Sequence, residues 1–336
     1  MAYQKGTATS HKDLLNKLVA FLTTDPTLVA AGQQYDVVFD KTMPFTGQTS
    51  VAPDRRHVVF RGRGLSGLDQ IYTSVSEVAD TAADYYNWAV CAGIGFVESS
   101  LISGYGDLRG GLVGGCPQNK AMLLWDQPMT YWFFANGRRW FAVAKVSTTY
   151  AAGGAGFILP PCPPAEYRYP CAVWGSAENN TARWSVTSSD NWGMTCGSAY
   201  LRDPAGNWGL HRGANGGGSS THLLLPTGCN NFAYAGPTGS SSSSNWSTTT
   251  YNTFLGFRNG PDGSFPLWPV TLATTTASGT AAIAQQNTYG EADGLFWVPS
   301  LNNGAEDEIV VNGVTYIVFQ SVFRAGNPYM FALRAN

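Results

Sequence analysis

A glycine-rich stretch is the first place where the sequence could do chemistry. Gly62, Gly64 and Gly67 have the spacing of a dinucleotide-binding fingerprint, in which glycines let the backbone approach a pyrophosphate. That fingerprint works only where a helix begins at the third glycine and points its N-terminus at the phosphates. Residues 71–76 instead have the composition of a strand. The stretch is therefore interpreted as a tight turn, and the sequence predicts no cofactor-binding residues.

Histidine and cysteine, common catalytic groups and metal ligands, are few and widely spaced. The four histidines are His11, His57, His211 and His222, and no two are four residues apart, so a zinc-protease motif is absent. His222 lies close in sequence to Cys229, but a structural histidine is the favoured interpretation. The six cysteines contain no C-x-x-C pair, which argues against zinc. They are interpreted as buried thiols, with disulfides as the alternative.

Acidic residues offer no clear catalytic pair. A glycanase needs two carboxylates about 5–10 Å apart, and the spacing of Glu166, Glu178, Asp190 and Asp203 gives that idea no positive support. Residues 306–308 are three consecutive acids that could bind Ca²⁺, although a solvated strand start is the favoured interpretation. The sequence therefore predicts no catalytic and no metal-binding residues, and a protein that is not an enzyme.

Tryptophan is the most informative residue type. The chain has eleven, of which Trp174, Trp184, Trp192 and Trp208 fall in or beside predicted short strands. Such side chains fill a β core, form the centre of a protein interface, or stack on sugar rings. These four are therefore candidate interface or ligand contacts.

The charge content limits the classes of partner. The chain has 20 Lys and Arg and 22 Asp and Glu among 336 residues, 12% in all, against roughly 25% in ordinary soluble domains. A net charge of −2 attracts neither nucleic acid nor an anionic membrane surface. No apolar run approaches the roughly 18 residues that span a bilayer, so no membrane insertion is expected. The first residues lack the pattern of a secretory signal, which predicts folding in a cytoplasm.

Two kinds of element must position these residues. Ser10 and Asp13 predict the start of a helix whose apolar face, Leu14, Leu18 and Leu22, is a candidate docking surface for another subunit. A second short helix is expected to start at Asp25-Pro26 and to end at Gly32. Beyond it the pattern is that of strands, with Asn-Gly pairs at 136–137 and 312–313 predicting type I′ hairpins.

The predicted fold is mainly β with a small N-terminal α/β portion, its antiparallel sheets or β-sandwich built from hairpins. We expect an N-terminal mixed domain over 1–118, a tryptophan-rich β domain over 119–236, and a serine-rich loop or linker over 237–250. A C-terminal β region over 251–336 could pack with the second domain as one unit. Residues 153–170, rich in glycine and proline, are predicted to form a stiff crossing segment.

Five regions of the sequence resemble virion structural proteins of tailed bacteriophages. They are residues 3–15, residues 70–75 with 84–88, residues 131–150, residues 199–208, and residues 293–324. The resemblance implies a tail-associated component of the baseplate, tail tip or neck, with no enzymatic residues to carry over. It also implies a virion location after assembly in the host cytoplasm, with other virion proteins and further copies of the chain as partners in a symmetric assembly. The alternative is a module at the tail tip that binds a receptor or host-surface glycan.

Overall fold

The computed structural model describes residues 1–44, 54–98, 110–177, 180–185, 198–212, 222–225, 267–275, 286–299, 303–320 and 329–336. Within these ranges two helices lie near the N-terminus, α1 (His11–Thr24) and α2 (Pro26–Ala30). The strands of the first half are β1 (Ala2–Ala8), β2 (Asp36–Pro44), β3 (Asp54–Gly62), β4 (Ile71–Asp80), β5 (Tyr85–Gly93), β6 (Gly95–Phe96), β7 (Leu112–Val113), β8 (Lys120–Met122), β9 (Met129–Asn136), β10 (Arg139–Val146) and β11 (Thr149–Phe157). Those of the second half are β12 (Cys171–Gly175), β13 (Ser198–Arg202), β14 (Trp208–Arg212), β15 (His222–Leu225), β16 (Trp268–Thr275), β17 (Gln286–Pro299), β18 (Glu308–Val311), β19 (Val314–Gln320) and β20 (Tyr329–Arg334). The prediction of a mainly β fold is confirmed.

The described strands form two large sheets and one small pair. The larger sheet has thirteen strands in the order β1-β9-β10-β11-β12-β13-β14-β15-β16-β17-β20-β19-β18, and the smaller has five in the order β2-β3-β4-β5-β8. Strands β6 and β7 pair with each other. Neighbouring strands are antiparallel except β14 and β15, which confirms the antiparallel prediction. Strand β1, from the predicted first domain, is paired along its whole length with β9 of the predicted second domain.

The centre of the large sheet is covered on both faces. Because successive side chains of a strand point to opposite faces, alternate residues of β9 enter two different apolar cores. Phe133 and Ala135 contribute to the core that contains α1 and the five-stranded sheet. Trp132 and Phe134 contribute to a second core formed with β16, β17, β19 and β20. The molecule is thus built in three layers, and many of the aromatic residues fill two cores rather than one.

The N-terminal helices begin where their caps predict. Ser10 Oγ accepts a hydrogen bond from the Asp13 backbone N–H at 3.2 Å, at the start of α1. Asp25 Oδ1 accepts from the Thr27 N–H at 2.9 Å, with Pro26 in the first position of α2. Gly32 follows at φ +65°, a conformation that glycine adopts without strain. Each feature agrees with the sequence-based prediction.

The two Asn-Gly hairpins differ. In the C-terminal one Val311 pairs with Val314, and Asn312 and Gly313 have φ of +52° and +77°, which confirms the type I′ prediction. In the other, Asn136 itself pairs with Arg139. The turn residues are therefore Gly137 and Arg138, and none of the residues 136–138 has a positive φ. The type I′ prediction is wrong there.

The side chain of Asn136 accounts for this second turn. Its Oδ1 accepts hydrogen bonds from the backbone N–H groups of Arg138 and Arg139, at 2.9 and 3.1 Å. Residue 137 is a glycine because the backbone of Gly64 lies close to it, not because its φ is positive. A Cβ at residue 137 would clash with the carbonyl oxygen of Gly64. Gly64 lies in the glycine-rich stretch, which is followed directly by β4 and is a turn, as predicted.

The glycines of residues 153–157 form part of a buried strand, not a crossing segment. They belong to β11, where Gly153 pairs with Ala142 and Gly154 with Phe141. A Cβ on Gly154 would lie 2.5 Å from the carbonyl oxygen of Trp140. At residue 154 glycine is required because the Trp140 carbonyl oxygen and the Phe141 ring of β10 leave no space for a side chain, and the prediction of a crossing segment is corrected for residues 153–157.

Candidate functional site

The end of the thirteen-stranded sheet presents an apolar edge. Strand β18 is the last in the strand order, and its only neighbour among the described strands is β19. Val310 is 64% exposed and Val311 42% exposed. Natural edge strands are usually protected by lysine, proline, bulges or a covering segment, because an exposed apolar edge pairs readily with other strands. We call β18 the edge strand below.

A cluster of charges holds the layer that carries the edge strand against the middle layer. We call Lys5, Lys145, Tyr150 and Glu306 the Glu306 cluster. Glu306 Oε1 accepts from Lys145 Nζ and from the Tyr150 hydroxyl, each at 2.8 Å, and Oε2 accepts from Lys5 Nζ at 3.2 Å. One carboxylate thereby connects β1, β10 and β11 to the segment just before the edge strand.

The electrostatics of the Glu306 cluster favour the charged carboxylate. Partial burial acts to raise the pKa of Glu306, but hydrogen bonds from Lys145, Tyr150 and Lys5 outweigh it and hold that pKa below its usual value. Glu306 also has φ +74°, which costs a non-glycine residue about 1–2 kcal/mol. The interpretation of residues 306–308 as a solvated strand start is thus incomplete, because Glu306 is an ion-pair partner.

A second surface combines aromatic rings with carboxylates. His11, Tyr86, Trp125, Asp126 and Trp184 form what we call the aromatic patch. Trp125 and Trp184 meet edge to face with centroids 5.3 Å apart, and His11 packs on Tyr86 at 5.3 Å. His11 Nδ1 lies 3.1 Å from Asp126 Oδ1, which joins the two ring pairs. Aromatic faces beside carboxylates are groups that can contact sugar rings and their hydroxyls.

The titration of two patch residues reflects this mixed setting. Burial lowers the pKa of His11, and it outweighs the opposing influence of Asp126. For Tyr86, desolvation followed by the nearby carboxylates of Asp84 and Asp126 raises the pKa of the hydroxyl. Near neutral pH the buried His11 imidazole and the Tyr86 phenol are therefore both uncharged, and Asp126 is the exposed acid of the patch.

The three leucines proposed as a docking face are buried in the interior of the protein. Leu14, Leu18 and Leu22 are fully buried, in the core that α1 shares with β9 and the five-stranded sheet. They are therefore core residues and are not accessible to another subunit. The 3.6-residue periodicity located the apolar face of α1 correctly, but this face packs against strands of the same chain.

The four candidate tryptophans do not form one surface. Trp174 is buried in the second core, where it packs on Phe141 with centroids 6.0 Å apart. Trp184 is partly buried in the aromatic patch. Trp208 is partly buried elsewhere, and its Nε1–H donates to the carbonyl oxygen of Gly114 at 3.0 Å. Trp192 lies outside the described residues.

His57 and the described cysteines are of residue types common in catalytic and metal sites, but here they pack within the protein. His57 is buried, with Nδ1 at 2.6 Å from Ser76 Oγ and Nε2 at 3.2 Å from the carbonyl oxygen of Gly110. The described cysteines, Cys91, Cys116, Cys162 and Cys171, are free thiols. Within the described part of the chain, no group of three or more His, Cys, Asp or Glu side chains is placed to hold a metal ion. Among the same residues no helix is long and apolar enough to cross a membrane.

The sequence pattern does not identify the exposed valines of the edge strand or the tryptophan pair of the aromatic patch. It predicts the turn at Asn312-Gly313 but does not mark Val310, Val311 or Trp125 as contacts for a partner. Exposure of an edge strand depends on which strand ends the sheet, which strand patterns do not specify. The missed signal for the edge was the lack of any lysine or proline in Glu308–Val311.

The chain was also compared with known proteins. No protein-family model matches it, and the search of curated proteins gives no match. Its function has to be inferred from its own residues and their arrangement.

Proposed function

We propose that this protein is a non-enzymatic structural component of a bacteriophage tail, in the baseplate, the tail tip or the neck. It joins a symmetric assembly of its own copies and other virion proteins, and it is assembled in the cytoplasm of the bacterial host. The observation that carries the proposal is the exposed apolar edge strand at the end of a thirteen-stranded sheet.

An exposed apolar edge suits a subunit better than a solitary protein. Unpaired backbone groups next to exposed valines favour addition of another strand, and a net charge of −2 supplies little repulsion between copies. For a free monomer this combination favours uncontrolled association. For a subunit, the same surface is covered in the assembled particle.

The regions of phage resemblance also support the proposal. They include β1, the β9–β10 hairpin, and β19, which pairs with the edge strand. These segments lie at one end of the large sheet, in its middle layer and next to its other end. The resemblance therefore concerns the elements that would form or support contacts between subunits.

The proposal is tested on purified virions of the phage that encodes the chain. Mass spectrometry of density-purified particles should detect the chain at a constant ratio to the major tail proteins, and immunogold labelling should locate it on the tail. A non-virion protein of the same phage, measured in parallel, reports carry-over from the lysate. If the chain is depleted from the particles together with that control, the proposal is wrong.

The aromatic patch favours a second candidate function, binding of a host-surface glycan or receptor at the tail tip. Trp125 and Trp184 would supply the aromatic contacts, and Asp126 an acceptor for sugar hydroxyls. A glycan-binding screen should then detect binding that Trp184→Ala abolishes and Trp184→Phe partly keeps. Leu68→Ala is the matched control, since Leu68 is an 86% exposed apolar side chain outside the patch. Absence of glycan binding by the wild-type protein would exclude this candidate.

A further inference from the structure

We propose that the edge strand pairs with the edge strand of a second copy of this chain, in antiparallel orientation about a two-fold axis centred on Val310. This inference rests on the proposed function and names one of its contacts. The pairing would continue the thirteen-stranded sheet of one copy into that of the other. The proposal follows from the direction of the backbone groups, from the order of the side chains in β18, and from their exposure.

Among the described residues, the backbone groups of β18 without a partner strand belong to Glu308 and Val310. Asp307 accepts a hydrogen bond from the Val318 N–H through its carbonyl oxygen, at 2.9 Å, so residue 307 points its backbone towards β19. Alternate residues of an antiparallel strand point their backbone groups to the same side, which directs Ile309 and Val311 towards β19 as well. Glu308 and Val310 consequently direct their N–H and C=O groups away from the sheet.

Self-pairing centred on Val310 is favourable for Ile309, Val310 and Val311. Val310 lies opposite its symmetry mate as a hydrogen-bonded pair, which forms two backbone hydrogen bonds across the axis. On either side Ile309 lies opposite Val311, so apolar residues meet apolar residues. Glu308 lies opposite Asn312, a turn residue with φ +52° that ends the pairing and carries no charge, so no acid faces another acid. Moving the centre to Ile309 would instead place Asp307 opposite Val311 and Glu308 opposite Val310, which is less complementary.

Pairing with a second copy also gives a closed assembly. A two-fold contact uses the same patch on both subunits and ends after two copies, whereas pairing of β18 with a different edge would continue without closure unless a ring forms. The exposure of Val310, 64%, leaves its side chain accessible to the partner strand. No proline blocks pairing within Glu308–Val311.

The first experiment measures the oligomeric state of the purified full chain by light scattering coupled to size exclusion, over a range of concentrations. The wild type should show a concentration-dependent dimer. Val310→Lys places two like charges opposite each other across the axis, and we expect a dissociation constant at least about tenfold higher. Val113→Lys is the matched control, because Val113 is a 43% exposed valine outside the edge strand. Far-UV circular dichroism checks that each variant is folded.

The second experiment tests the register and does not depend on the strength of the dimer. In the proposed pairing the two Val310 Cα atoms lie about 5.5 Å apart, within the range of a disulfide. Val310→Cys should therefore cross-link into a dimer under mild oxidation. Glu308→Cys should not, because its symmetry mate lies four residues, about 13 Å, along the strand. The wild type, oxidised in parallel, reports any cross-linking through the native cysteines.

The outcomes separate this inference from the proposed function. If Val310→Cys does not cross-link more than Glu308→Cys, or if Val310→Lys leaves a wild-type dimer unchanged, the pairing is wrong even where the chain is present in virions. The pairing is also wrong if the wild type is monomeric at every concentration and the Val310→Cys variant does not form a cross-linked dimer. If the cross-link forms but the chain is absent from virions, the pairing stands and the phage assignment fails.

Discussion

Replacing Glu306 by Gln tests how the layer that carries the edge strand is held to the middle layer. The substitution keeps the size of the side chain and one acceptor oxygen, but it removes the charge that faces Lys5 and Lys145. Because Glu306 is the common partner of three side chains from the middle layer, one substitution weakens three contacts. The expected result is a less stable protein with an unchanged fold.

The expected loss can be estimated from the geometry. The contacts of Glu306 are 2.8 Å to Lys145, 2.8 Å to Tyr150 and 3.2 Å to Lys5. Both lysine side chains are more than one third exposed, so each ion pair is worth at most about 0.2–1 kcal/mol. Since Gln keeps part of the hydrogen bonding, we expect a loss of about 1 kcal/mol in the free energy of unfolding. For a chain of this length that loss shifts the melting temperature by only about 1–2 °C.

Urea unfolding at several pH values is therefore the better assay, and urea does not screen ion pairs as guanidinium chloride would. The pKa of Glu306 is lower in the folded than in the unfolded protein, so its stabilisation is present above the unfolded pKa of about 4.3 and is lost as the pH falls through the folded pKa. The difference between the wild type and Glu306→Gln should be about 1 kcal/mol at pH 7 and should shrink as the pH falls below about 4.3. Glu291→Gln, at an exposed acid, is the control. Equal stabilities at pH 7, or a difference that does not shrink as the pH falls below about 4.3, would refute the role of the cluster.

Three further substitutions test local features of the fold, each by urea unfolding. Gly137→Ala should destabilise the protein by about 2–3 kcal/mol, because its Cβ would clash with the Gly64 carbonyl. The control Gly95→Ala, whose Cβ would have its nearest neighbour at 3.4 Å, should cost less than about 1 kcal/mol. Equal costs for the two substitutions would contradict the close approach of Gly137 to Gly64. Asn312→Ala should cost about 1 kcal/mol and Asn312→Gly almost nothing, since φ is +52° there; equal effects would exclude a left-handed conformation. Ser10→Ala should cost about 1 kcal/mol through loss of the helix cap, and no change would mean that the cap is unimportant.

Local features were predictable from the sequence where one residue determines the backbone. Ser10 and Asp25 cap helices through hydrogen bonds within three residues, so their effect does not depend on the rest of the fold. Asn312-Gly313 adopts the type I′ turn that the dipeptide favours, and among the described residues none would contact a Cβ on Gly313. At Gly137 the close approach of the Gly64 carbonyl, more than seventy residues away in sequence, imposes a different turn on the same dipeptide.

What the sequence did not specify depends on contacts between distant segments. The apolar face of α1 was evident from Leu14 and Leu18, but its partner could be identified only once β9 was placed beneath it. Trp174 and Trp184 are equivalent as residues, yet one lies in a core and the other at a surface. Likewise, the exposure of Val310 follows from the position of β18 at the end of the sheet, which only the strand order reveals.

The central claim is that this chain is a structural subunit of a phage tail, and a reconstruction of the intact virion tests it most directly. The account predicts density for the three-layered fold at symmetric, repeated positions in the tail, with the edge strand covered by a neighbouring subunit. A complete reconstruction in which all tail density is assigned to other proteins would contradict the account.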